Sequence, residues 1–329
     1  MTQTYERLLE RQDSVAAAVR SALDLLAGSH QSLIAAVRRL LDSDGTVGNT
    51  FRLLPFPILG ALGADEELAV PLTAFSRIWW TGAEVFDDVA DGDFDPASVG
   101  LSGTQASIAS VACMTLIPEA SIEQLALPAV LRSRWLQEFT ACQFDAAQGQ
   151  LGDVSADAGA SSWATVMRIY AGKTGAPYGR DAAMAAMLSD ATDDAIRGWR
   201  VFGRLFGVLR QLANDRASAT STRDEDLANG TRTLLLALAL EQAGSRGSEE
   251  LQMLHSRAVE DVSARRLLRE RLVRQDLAEV YNQRVGAIRL TLSELLTELT
   301  EPCEHRDLIQ WMVNASALEA RVPEMAGAA

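Results

Sequence analysis

The sequence predicts an all-α protein, one helical bundle domain over residues 1–329, and three observations carry that prediction. Apolar residues recur at spacings of three and four along long stretches; Ala, Leu and Arg are frequent; and no Val/Ile/Thr-rich alternating runs appear between turn signals. The elements follow in order. Residues 2–26 have helical periodicity that breaks at Gly28-Ser29. A second helix ends near Leu41, before the turn-rich stretch 42–49, and Pro55 and Pro57 mark the next boundary. Residues 66–91, with Phe75, Trp79, Trp80 and Phe86, are apolar on most sides, as expected of a helix in the middle of a bundle. Residues 127–151, 162–188 and 191–218 read as further long helices, the second kinked near Lys173 by Gly172, Gly175 and Pro177. Residues 223–229 read as a polar, acidic loop, 249–296 as charged outer helices, and 321–329 as a loose tail.

Composition narrows the function. With 48% hydrophobic and 22% charged residues, the chain is neither disordered nor fibrous. A net charge of −14 argues against a nucleic-acid partner, which would be held by phosphate neutralisation. Cys113, Cys142 and Cys303 are odd in number and far apart, and His30, His255 and His305 are equally scattered. Neither a disulfide framework nor a zinc site is expected. No basic-plus-apolar leader opens the chain and no run of 18 apolar residues follows, so we expect no stable membrane insertion and a cytoplasmic location. Arg supplies nearly all the positive charge; Lys173 is the single lysine.

Two polar constellations stand out. Asp87-Asp88-Val89-Ala90-Asp91 ends the most apolar helix, with Asp87 and Asp91 on one face. Stacked carboxylates repel at a helix end that is already negative, a cost that divalent cations would relieve; hard oxygen ligands with room for water and phosphate suit Mg²⁺. Alone, the motif reads equally well as a solvated acidic helix end. Downstream, Gln211, Asn214, Asp215 and Ser218 end another apolar helix, with Asn214 and Ser218 four apart. Gly203 and Gly207 on roughly that face leave room for something to approach. Taken by itself this is an ordinary helix end. Together, two apolar helices ending in oxygen donors suit a three-metal cluster facing an apolar cavity, and Lys173-Thr174 at the expected kink offers a cation for a polyanion.

These residues resemble the trans-isoprenyl diphosphate synthase and class I terpene synthase superfamily. Asp87-Asp88-Val-Ala-Asp91 is similar to its first aspartate-rich motif, Gly149-Gln150-Leu-Gly-Asp153 to its GQxxD stretch, and Lys173-Thr174 to its KT signature. The helix from Gly203 to Asp215 resembles the carrier of the second acidic motif, and Asp226-Leu-Ala-Asn-Gly230-Thr-Arg-Thr233 the segment after it. The matches run in family order from about residue 50 to 240.

The departures bear on activity. The stretch that binds a homoallylic diphosphate in chain-elongating members reads Gly48-Asn49-Thr50-Phe51-Arg52 here, where only Arg52 keeps part of that role, and residues 92–101 hold no basic side chain. Asn214 and Ser218 resemble the first two members of a terpene-cyclase NSE triad. Thr222 stands at the glutamate position; Asp224, Glu225 or Asp226 substitutes for it, or water fills the place.

The resemblance implies an isoprenoid-synthase-type bundle around a central apolar cavity, and a Mg²⁺-dependent terpene synthase acting on an allylic prenyl diphosphate of C15–C20, with C20 favoured. Asp87 and Asp91 would hold two metals with Asp88 in support, and Asn214, Asp215 and Ser218 would hold the third. Lys173, Gln211, Arg232 and Arg52 would bind the diphosphate. Ala83 leaves the cavity open, while Trp79, Trp80, Phe86, Tyr170, Trp199 and Phe206 are candidates for its lining, most of them better explained as core. A homodimer is also implied. The alternatives are a prenyltransferase with an atypical acceptor (a peptide, an aromatic or a second isoprenoid), an ordinary chain-elongating synthase, and a non-catalytic subunit of a heteromeric synthase.

Overall fold

The computed structural model describes residues 2–43, 49–154, 162–220 and 225–322, without the side chains of residues 2, 3, 217–220, 225 and 226. Every regular element among them is helical. In chain order the α-helices are α1 (Thr2–Ala27), α2 (Gln31–Ser43), α3 (Pro55–Ala61), α4 (Ala69–Asp91), α5 (Pro96–Val99), α6 (Gly103–Met114), α7 (Leu116–Gln124) and α8 (Ala129–Val154). There follow α9 (Trp163–Tyr170), α10 (Ala176–Leu188), α11 (Asp193–Thr220), α12 (Glu225–Ala228), α13 (Leu234–Gln242), α14 (Gly244–Ala258), α15 (Val262–Leu272), α16 (Gln275–Leu299) and α17 (Glu304–Ala320). None among the described residues is long and apolar enough to cross a membrane.

The chain forms two compact units. The first comprises Met1–Ala141, Asp181–Arg197 and Thr300–Ile309. Its centre is α4, which packs against α1, α2, α3, α6 and α7. Phe75, Ile78 and Trp79 are buried, each worth roughly 1.5–3 kcal/mol against exposure. Phe75 meets Trp135 and Phe139 edge-on, at 5.9 and 6.5 Å. At Gly82 a Cβ would lie 2.6 Å from Cys113 Cβ and 2.8 Å from the Ser110 carbonyl, so the glycine lets α6 come close; Ser110 Oγ seals the contact by donating to the Gly82 carbonyl.

The second unit comprises Cys142–Arg180, Gly198–Leu299 and Gln310–Ala329. Here α13, LLLALALEQ, is the buried hub and touches α9, α14, α15 and α16. Trp199, Phe202, Phe206 and Tyr178 form an aromatic ladder with successive ring separations of 5.4, 6.3 and 5.4 Å. Asn282 pins Val322, just beyond α17, donating to its carbonyl and accepting from its amide.

Two points differ from the sequence reading. Residues 225–228 form one helical turn, α12, inside the stretch expected to be a loop. Helix α16, within the stretch read as outer helices, buries Tyr281, Val285, Leu292 and Leu296 on one face and exposes Glu294 and Glu298 on the other. The short helices α5 to α7 occupy residues to which periodicity assigned nothing. Residues 323–329, read as part of a tail, lie outside the described residues.

Candidate active site

In the first unit, α4 carries Asp87, Asp88 and Asp91 on its last turn. Gly92 closes the helix in the left-handed conformation, with φ of 82°. Its amide and those of Asp93 and Phe94 all donate to the Asp88 carbonyl, the last two at 2.8 and 3.0 Å. Three donors on one carbonyl fix the turn that presents the motif. Asp87 is half-buried, and Asp88 and Asp91 are exposed. One turn back, Ala83 is half-buried and Phe86 exposed. Trp80 is buried, edge-on to Trp79 at 5.2 Å, and the Arg52 guanidinium lies over its ring, 4.9 Å from the centroid. Arg52 also bonds Glu84, so this cation is engaged from two sides within the unit. Sequence reasoning missed Glu84, whose only signal is its position four residues after Trp80 on the same helix.

In the second unit the helix from Trp163 to Leu188 is interrupted by a π turn, Ala171–Gly175, at the place where a kink is expected. It carries Lys173, whose Nζ lies 2.8 Å from Asp153 Oδ2 on α8. Both side chains are mostly sheltered, at 23% and 18% exposure, which makes this ion pair stronger than a fully exposed one. Gly149 makes this possible, because a Cβ there would run into the Lys173 amide and lie 2.8 Å from the Gly172 carbonyl carbon.

A hydrogen-bond chain ties the π turn to α11. Thr174 Oγ1 donates to Gln211 Oε1 at 2.6 Å, Gln211 Nε2 donates to Asp215 Oδ1 at 3.0 Å, and Tyr170 Oη donates to Asp215 Oδ2. Asp215 is buried, with an oxygen bonded on each side. Burial, then the charge of Asp215 and its hydrogen bond, push the Tyr170 phenol well above its usual range; burial and the same charge do so for Tyr281. Both phenols therefore stay protonated near neutrality.

Asn214, its neighbour, is exposed. The side chains of Ser218, Glu225 and Asp226, and residues Thr222 and Asp224 as a whole, lie outside the described residues. What approaches Gly203 and Gly207 is backbone, not ligand. A Cβ on Gly207 would sit 2.6 Å from the Thr174 carbonyl oxygen, and one on Gly203 2.8 Å from Gly179 Cα. Trp199 and Phe206 are fully buried in the aromatic ladder. Arg232 is half-buried next to Thr233, which caps α13 by accepting from the Leu236 amide. His255 contacts the Thr231 carbonyl at 3.3 Å, and burial lowers its pKa.

Among the described residues no three His, Cys, Asp or Glu side chains are gathered into a ready-made cation site. The donors offered by α4 are nonetheless of the right kind. Asp87 and Asp91 are hard carboxylates one turn apart on a helix end held rigid by the Asp88 carbonyl, which fits Mg²⁺ sharing its shell with water and phosphate.

The polyprenyl synthetase family model matches residues 68–270. No curated protein matches the sequence. Among solved structures, the chain is similar to a geranylgeranyl pyrophosphate synthase from Corynebacterium glutamicum complexed with isoprenyl diphosphate and magnesium, with TM-score 0.79, 18% identity, and coverage of 95% of this chain and 99% of that one. A polyprenyl synthetase from Streptomyces coelicolor A3(2) gives TM-score 0.77 and 21% identity over 96% and 99% of the two chains. A polyprenyl synthase from Caulobacter crescentus CB15 complexed with calcium and isoprenyl diphosphate gives 0.78 and 19% over 97% and 98%. At these identities the likeness is one of fold, and the fold is the all-α isoprenoid-synthase fold.

Proposed function

The chain belongs to the polyprenyl synthetase family, and on that premise we propose that it ionises an allylic prenyl diphosphate and cyclises or quenches the resulting carbocation without adding isopentenyl units. The substrate is C15–C20, with C20 preferred. The observation that carries this reading is the state of Arg52. It is the one cation left where chain-elongating relatives bind a second diphosphate, and here it is taken up by the Trp80 ring and the Glu84 carboxylate. With no basic residue in 92–101 either, a second diphosphate has little to neutralise it.

In this reading Asp87 and Asp91, with Asp88 behind them, hold divalent cations, and Asn214 with Ser218 holds a further one. Bound Mg²⁺ would supply charge neutralisation of the leaving group. Lys173, steadied by Asp153, and Arg232 bind diphosphate oxygens. The allylic C–O bond breaks heterolytically and its electron pair leaves with the diphosphate, so no protein nucleophile or proton donor is needed. Asp215, with both oxygens committed to Tyr170 and Gln211, acts as a strut for α11 rather than as a ligand. Apolar and aromatic side chains keep water from the cation. A prenyltransferase with an atypical acceptor would use the same ionising groups and is equally compatible with the engaged Arg52.

Incubation with C10, C15 and C20 allylic diphosphates and Mg²⁺, with and without isopentenyl diphosphate, tests this. We expect diphosphate release from C15 and C20 alone and a hydrocarbon or alcohol product by mass. Incorporation of isopentenyl units would overturn the reading. Release that appears only when another acceptor is added would select the prenyltransferase, and no release under any condition would make the chain a non-catalytic subunit.

A further inference from the structure

The support behind Lys173 lies wholly in the second unit. Tyr170 immediately precedes the π turn and Thr174 lies four residues on, while their partners Asp215 and Gln211 are four apart on α11. Tyr170 Oη donates to Asp215 Oδ2, Thr174 Oγ1 to Gln211 Oε1, and Gln211 Nε2 to Asp215 Oδ1. The turn is thus joined to α11 by two rungs with a brace between them. On the same side the Thr174 carbonyl oxygen lies so near Gly207 that a Cβ there would come within 2.6 Å. On the other side Gly149 of α8 admits the backbone of Gly172 and Lys173, and Asp153 takes the ammonium at 2.8 Å.

A π turn inserts one residue into an α-helix. Shifting that insertion by one position rotates the residues it passes by ~100° about the axis, at about 3.6 residues per turn. Such a rotation would carry Lys173 away from Asp153. The glycine contacts set how closely the three segments approach, and the two rungs set the rotation. Tyr170 is the rung on the N-terminal side of the insertion, and it is buried, at 3% exposure, against a carboxylate that is itself buried.

We infer that Tyr170 is a positioning residue, whose hydroxyl, bonded to Asp215, holds the π turn in the register that aims the Lys173 ammonium at the diphosphate. This rests on the reading of Lys173 as a diphosphate-binding cation. It moves Tyr170 from the cavity lining, for which the sequence made it a candidate, to the support behind the cation.

Lys173 is the single lysine, so the full chain labelled with ¹⁵Nζ-lysine gives one side-chain ammonium signal, read by NMR without any reaction. Tyr170→Phe keeps the ring and removes only the hydroxyl. We expect it to speed exchange of the ammonium protons with water at least ~10-fold, because Asp153 no longer holds them. Asn282→Ala removes two buried hydrogen bonds of the same unit and should lower the melting temperature without moving the signal. Tyr170→Phe/Asp215→Asn neutralises the acid left short of a partner, and should recover the melting temperature but not the signal. With an allylic diphosphate and Mg²⁺, Tyr170→Phe should lose ~10-fold in kcat at nearly constant KM, and no more than about twofold in a Lys173→Ala background. An unchanged signal in Tyr170→Phe would overturn the inference, as would an equal change in Asn282→Ala or a signal restored by Asp215→Asn. Losses that multiply in the Tyr170→Phe/Lys173→Ala variant would overturn it too. If no substrate releases diphosphate, the proposed reaction falls, and the ammonium signal still decides whether Tyr170 sets Lys173.

Discussion

The end of α4 and the last turns of α11 both carry acidic motif residues on apolar helices, yet the fold buries them to different degrees. On α4, Asp88 and Asp91 are exposed and Asp87 half-buried, and three amides converge on the Asp88 backbone carbonyl, which fixes the helix end. On α11, Asp215 is buried and receives Tyr170 on one oxygen and Gln211 on the other, while Asn214 beside it is exposed. One region keeps its acids at or near the surface, and the other buries one between Tyr170 and Gln211, which ties the π turn of Lys173 to the helix. Residue type alone therefore does not say where an acid will sit; packing does.

Substitutions can break this comparison. The largest effect is expected on α4. Asp87→Ala or Asp91→Ala should lower diphosphate release on the order of 10³-fold while leaving helicity and melting temperature unchanged, and near-normal turnover in both would remove the ligand assignment. Next comes Lys173→Ala, expected to lose ~10²-fold in turnover, with Lys173→Arg recovering only part because the guanidinium is bulkier and forked; full activity in the alanine variant would return the lysine to a packing role with Asp153.

The neighbours on α11 sharpen the contrast. Asp215→Ala should cost about 3 kcal/mol of stability, read in a denaturant melt, because it orphans the buried Tyr170 hydroxyl and the half-buried Gln211 amide. Asn214→Ala should leave the melt unchanged and cut turnover ~10-fold. A swapped pattern would make Asp215 the ligand. The smallest expected effect is on substrate preference. Ala83→Phe, one turn below Asp87, should move the C20:C10 selectivity toward the shorter chain by a few-fold, measured as the ratio of kcat/KM values. An unchanged ratio would take α4 out of the chain-length decision.

Much of the architecture was legible because it depends on local pattern. The long helices follow apolar spacing, the break at Lys173 follows Gly172, Gly175 and Pro177, and the ordered motifs around Asp87, Lys173 and Asn214 point to the family to which the chain belongs. The short helices α5 to α7 were not legible, since four to twelve residues carry too little periodicity. The roles of single residues were harder still. Gly203 and Gly207 read as space for a ligand, but they are where α11 meets the backbone of residues 174–179.

What the sequence by itself determined is the helical fold class, the family and the list of chemical groups, because helix periodicity and motif order are properties of neighbours along the chain. Tertiary structure alone decided that Arg52 lies on Trp80 and bonds Glu84, that Asp153 holds Lys173, that Asp215 is sealed by Tyr170, and that Thr174 bonds Gln211. Those facts join residues up to 45 apart in sequence. Hydrogen bonds and ion pairs act over a few ångströms, and which groups come that close is set by packing rather than by order along the chain.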